Sequence, residues 1–147
     1  MLPFRRILCP TDYSEAASAA LEKACELARH FGAQLYVLHV VPPLGSEAGY
    51  EVGALPDFER ERLDTATTEL VAFMAQHDTS GVSVHTLVKM GNAPTEIELA
   101  AQQEEIDLIV ISTHGTTGWR HLVFGKVTEK VLRQTHCPLL VVHPPQQ

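Results

Sequence analysis

Cysteine is scarce in this chain: three among 147 residues, at Cys9, Cys25 and Cys137. An odd, sparse set builds no disulfide framework, and its spacing offers no zinc-type pair, so a reducing compartment is expected. Basic residues are scarce as well, 11 Lys and Arg against 18 Asp and Glu, for a net charge of −7. A general binder of DNA or RNA needs a basic face, which this balance does not supply. A small anion answers to its local site instead and is not excluded. No apolar run approaches the ~20 residues that span a bilayer. After Met1 to Arg6 only Ile7, Leu8 and Cys9 precede Pro10, too few for the core of a signal peptide. A cytoplasmic protein without membrane or nucleic-acid partners is the expectation. Ready-made phosphate loops are also missing. No G-x-G-x-x-G follows a strand, and a Walker loop ending at Gly125 needs glycine at position 120, where Arg120 stands. The eight histidines show neither H-x-x-x-H nor H-E-x-x-H spacing, so no metal centre is expected.

What is present reads as one domain, residues 1–147, with a hydrophobic share of 45%. Short apolar runs end in turn residues at Arg5–Cys9, Ala33–Val41, Asp107–Ile111 and Pro138–Val142, and Val82–Val88 alternates as a half-exposed strand does. Between them, apolar residues recur at helical spacing. Ala17, Leu21, Ala24, Ala28 and Phe31 form one stripe, closed by Gly32 as C-cap. Leu63, Ala66, Leu70 and Phe73 form a second behind Asp57 as cap, Ile97 and Ala100 belong to a third after Gly91-Asn-Ala-Pro, and Val127, Val131 and Leu132 mark a last. Pro42–Pro56 reads as a loop. Alternating strands and helices predict a parallel sheet with helices on both faces, whose ligands sit beyond the carboxyl ends of the strands where strand order reverses.

Pro10–Ser14, Val40–Pro43 and the stretch Ser112–Lys130 would border that mouth. The last holds three glycines, five hydroxyl side chains, two histidines and three cations, Lys130 among them. Backbone donors near a helix N-terminus suit a phosphate: Gly115 admits an anion to the backbone, Gly125 opens the final helix, and Thr128 adds a hydroxyl. The same glycines also satisfy ordinary turn geometry. His39, inside an apolar strand, reads as a core histidine, and Cys9 as an inert buried thiol. No nucleophile has an adjacent base and orienting partner, so no catalytic set is assigned.

The segments ILCPTDYSEAASAALEKACELA, LYVLHVV, GNAPTEI and DLIVISTHGTTGWRHLVFGKVTEKVLRQTHCPLLVV, in that order, resemble the universal stress protein family over nearly the whole chain. The resemblance implies an α/β fold, a five-stranded parallel sheet in an open three-layer α/β/α arrangement, Rossmann-like and similar to the adenine nucleotide alpha hydrolases. It also implies cytoplasmic homodimers and, in one branch, ATP or AMP as ligand, with magnesium only where ATP is bound. That branch carries G-x2-G-x9-G-[ST]. Here Gly115 and Gly125 match, whereas Ser112 replaces the first glycine and Lys126 the final hydroxyl. Ser112 adds a Cβ where backbone approaches ligand; Lys126 adds a cation able to pair with phosphate. By the same resemblance Asp12 lies beside the nucleoside, although Asp12 and Ser14 are both possible helix caps. Val40 presents backbone to the adenine, and His114 makes a structural hydrogen bond. Pro10, Thr11, Ile111 and Val127 complete the predicted lining. The leading reading is an adenine-nucleotide-binding stress module dimerised through its C-terminal strand. The others are a nucleotide-free interaction module and a slow ATP hydrolase in which Asp12 helps hold a metal.

Overall fold

A computed structural model describes residues 2–43, 56–113 and 125–144. Five parallel strands run β1 Arg6–Pro10, β2 Gln34–Val41, β3 Ser83–Met90, β4 Leu108–Ser112 and β5 Leu139–Val142, in the spatial order β3-β2-β1-β4-β5. The helices α1 Glu15–Phe31, α2 Pro56–Ala75, α3 Ala93–Gln103 and α4 Lys126–Gln134 alternate with them. The two-residue period of the strands divides the core. Ile7, Cys9, Leu35, Val37, Leu108 and Val110 face α1 and α2, while Leu8, Tyr36, Leu38, Ile109 and Ile111 face α3 and α4. Central strands buried on both faces are why these runs are continuously apolar rather than alternating. β3 lies at an edge and is nowhere fully buried; Ser83, His85 and Thr86 are exposed, although the alternation expected from the sequence does not persist along the strand.

The boundaries of α1 and the start of α3 have local causes. Ser14 accepts a hydrogen bond from the Ala17 N–H at 3.1 Å and caps α1, and Gly32 ends it in the left-handed conformation (φ 66°). Asn92 caps α3 through the Thr95 N–H at 3.3 Å. Two expectations are corrected. Asp57 does not cap α2; Pro56 already starts the helix, and Asp57 sits in its first turn. In α4 the buried residues are Thr128 and Val131, three apart, whereas Val127 and Leu132 are 39% and 47% exposed. Only the Thr128–Val131 stripe of so short a helix meets the sheet.

β1 is the pivot. The chain leaves it to build β2 and β3 on one side, and β4 returns on the other. At such a reversal the connections diverge and leave a crevice at the strands' carboxyl ends.

Candidate functional site

A cleft of about 320 Å³ opens there, at the lower end of the roughly 300–1,000 Å³ typical of small-molecule sites. Ten of the twelve residues predicted for the site line it: Pro10, Thr11, Asp12 and Val40 from the ends of β1 and β2, Ile111 and Ser112 from β4, and Gly125, Lys126, Val127 and Thr128 from the start of α4. The other two, His114 and Gly115, lie outside the described residues, as do His121 and Trp119 and the body of the Pro42–Pro56 loop. Leu38, His39, Ala17, Ala93 and Ile97 also line the cleft, though sequence reasoning did not assign them to it.

The β1 side is built by short-range hydrogen bonds. The Thr11 N–H extends the ladder to the Leu38 carbonyl at 2.8 Å. Thr11 Oγ1 then accepts from the Tyr13 N–H and Asp12 Oδ1 from the Ser14 N–H, each at 3.1 Å. With Ser14 serving as the cap, the Asp12 carboxylate braces the turn at the rim of the cleft and does not close the helix. His39 is half-buried at this rim rather than in the core. Its Nδ1 lies 2.9 Å from the Thr11 carbonyl, and its ring stacks on Tyr13 with centroids 4.3 Å apart. Tyr13 has φ 66°, a conformation that costs a bulky residue about 1–3 kcal/mol unless its surroundings hold it.

The α4 side has a different character. Gly125 occupies the N-cap position without any side-chain cap, in contrast to Ser14 and Asn92 at α1 and α3. Its own N–H donates to the Thr113 carbonyl. By helix geometry the N–H groups of Lys126, Val127 and Thr128 have no intrahelical acceptor. They sit at the positive end of the helix dipole, with the Lys126 ammonium added and no ion pair to Lys126 among the described residues. The Thr128 hydroxyl is committed elsewhere: it donates to the Ser112 carbonyl at 2.6 Å and fastens α4 to the end of β4. Thr128 thus offers the cleft a backbone N–H in place of the expected hydroxyl. The whole arrangement suits an anion at α4, with a neutral or hydrogen-bonding group between Asp12 and β2.

The nearby Cys9 is fully buried, and burial pushes its thiol far above the ordinary range, which leaves it no thiolate to react. Burial, helped by Glu69, likewise pushes Tyr13 up to about 12 from 10.0. A group whose folded pKa is raised contributes stability that is complete below its unfolded pKa and is lost as pH rises toward the folded one. Wild type should therefore lose thermal stability relative to Tyr13→Phe between pH 10 and 12, with the thiols common to both proteins cancelling. Melting temperatures of the pair from pH 8 upward check this; parallel curves would place Tyr13 in water.

A model of the universal stress protein family matches residues 3–143. Universal stress protein MJ0531 of Methanocaldococcus jannaschii is 33% identical over 147 residues, spanning 98% of this chain and 85% of that protein. Among solved structures, that of MJ0577 from the same organism superposes with a TM-score of 0.79 at 28% identity, covering 98% of this chain and 99% of the other. Two more distant structures show the fold alone. One is a universal stress protein in complex with cAMP (TM-score 0.63, 18% identity, 97% and 98% covered). The other is the universal stress protein from Archaeoglobus fulgidus in complex with dAMP (TM-score 0.57, 21% identity, 96% and 98% covered).

Proposed function

The chain belongs to the universal stress protein family, and from that premise we propose that it is a stress-response module whose cleft binds an adenine nucleotide, ATP or AMP. The observation that carries the reading is the uncapped start of α4 opening into a mononucleotide-sized cleft at the sheet's reversal point. The phosphates would lie on the N–H groups of Lys126 and Val127, with the Lys126 ammonium as a point charge in place of a hydroxyl. The nucleoside would extend toward Asp12, with the adenine edge against the Val40 backbone. Adenine is preferred over other bases because the fold has been solved with cAMP and with dAMP. Magnesium would accompany ATP only, with Asp12 the one carboxylate among the described lining residues to meet it. Three free cysteines, two of them buried, fit a reducing cytoplasm.

Denaturing freshly purified protein and weighing the released small molecules by mass spectrometry tests the reading. An adenine nucleotide near one per chain supports it; a different stoichiometric ligand replaces it. Lys126→Ala should weaken nucleotide affinity about fivefold, on the order of 1 kcal/mol for an exposed charge. It should also flatten the dependence on salt, which titrations at low and high ionic strength measure. An unchanged salt slope would remove Lys126 from the phosphate site.

A further inference from the structure

The turn that carries Asp12 is held by residues on both sides of it. Before it, the Thr11 carbonyl lies 2.9 Å from His39 Nδ1. A carbonyl oxygen can only accept, so His39 keeps its proton on Nδ1 and donates it. After it, the Tyr13 ring lies over the same imidazole at 4.3 Å, with the planes 24° apart. The Tyr13 hydroxyl donates to the Ala66 carbonyl of α2 at 3.2 Å, and its ring meets Phe73 of α2 at 5.3 Å. One histidine on β2 therefore grips the turn twice, through a hydrogen bond to one neighbour of Asp12 and a stack on the other. Tyr13 carries the grip on to α2. The left-handed backbone of Tyr13 follows from this: a bulky residue stays there only where its surroundings over-determine it, and such positions collect at ligand clamps and switch regions.

We infer that His39 and Tyr13 form a clasp that positions Asp12 at the nucleoside end of the cleft and couples that position to α2. Both act as positioning residues, through the turn. Their effect on affinity rests on the nucleotide reading above; their effect on the turn does not.

The test separates the two. His39→Asn keeps a donor where Nδ1 stands, His39→Gln moves it toward the Nε2 position, and His39→Leu removes it. In the ligand-free full-length protein, the Tyr13 and Ser14 amides should exchange with solvent about tenfold faster in His39→Leu and His39→Gln, the worth of one hydrogen bond. Ile109 and Val110 in β4 should be unchanged, and His39→Asn, which keeps the hydrogen bond and loses the stack, should lie between wild type and His39→Gln. AMP affinity should fall by a similar factor in His39→Leu and His39→Gln and recover in part in His39→Asn. Should His39→Leu fail to fold, the Asn–Gln pair makes the same comparison. Equal exchange in the Asn and Gln variants overturns the clasp. Faster exchange with AMP affinity intact overturns the positioning of Asp12. Wild-type protein that binds no AMP overturns the nucleotide reading and, with it, the clasp's role toward a nucleoside, while the exchange rates still decide whether the clasp holds the turn.

Discussion

Gly125→Val is expected to lower adenine-nucleotide affinity by more than 100-fold while leaving the fold intact. The two halves of that expectation have separate grounds. Gly125 has φ −64° and ψ 162°, extended backbone that valine adopts without strain, so this glycine is not required by its dihedral angles. It offers no side-chain cap to lose, and its hydrogen bond to the Thr113 carbonyl uses the backbone N–H, which valine retains. What valine adds is a branched side chain at the lip of the cleft, where the proposed phosphates must reach the first N–H groups of α4. Keeping an anion off two such groups forfeits two charge-assisted hydrogen bonds, each worth about 1.5–3 kcal/mol. Calorimetric titration with AMP and ATP measures the loss, and an unchanged circular dichroism melt certifies the fold. Retained affinity would move the phosphates away from α4.

Val141→Pro is expected to turn a dimer into a monomer. Among the described residues β5 pairs with β4 on one side only and ends the sheet, leaving an edge that soluble proteins normally cover. Its hydrogen bonds reveal which residues look outward. The Ile109 N–H donates to the Pro138 carbonyl and the Thr113 N–H to the Val142 carbonyl. By the two-residue period, Leu140 also faces β4, whereas Leu139 and Val141 turn their backbone groups to the open edge. Two copies related by a two-fold axis would pair these edges antiparallel and bury the half-exposed Leu140 side chain, which is 38% accessible. Proline at 141 removes an outward N–H and no bond to β4, a position where edge strands tolerate it. Light scattering at micromolar concentration should give a dimer for wild type and a monomer for Val141→Pro. A monomeric wild type would contradict the edge pairing outright.

The parts of the fold that were legible in the sequence are those written in periodicity and capping chemistry. The α1 stripe from Ala17 to Ala28 is buried as spaced, Gly32 caps it, and the apolar runs became the strands. The cleft was legible because its residues come from strand ends, which any parallel α/β sheet brings together at its reversal. What remained hidden depends on register and three-dimensional neighbours. His39 shares the apolar context of Leu38 and Val40, and only the pairing of β1 with β2 brings it level with the turn after Pro10. Nothing in Pro10-Thr-Asp-Tyr-Ser announces a left-handed tyrosine; the partners that surround its side chain, His39 on β2 and Ala66 and Phe73 on α2, are distant in sequence. Asp12 and Ser14 have equivalent capping chemistry for α1 when read from residue type alone; the geometry of the turn assigns Ser14 to the helix and Asp12 to the rim. In α4, nine residues are too few for their periodicity to reveal which side meets the sheet: of Val127, Val131 and Leu132, which mark the helix in the sequence, only Val131 is buried, together with Thr128.

The most direct measurement of the nucleotide site is calorimetry on protein unfolded, stripped of any carried ligand and refolded, titrated with ATP, ADP and AMP. One site per chain with measurable heat from at least one of them, abolished by Gly125→Val, is the predicted result. Refolded wild-type protein that gives no heat with any of the three would contradict it, and the cleft at the end of β1 would then need another ligand.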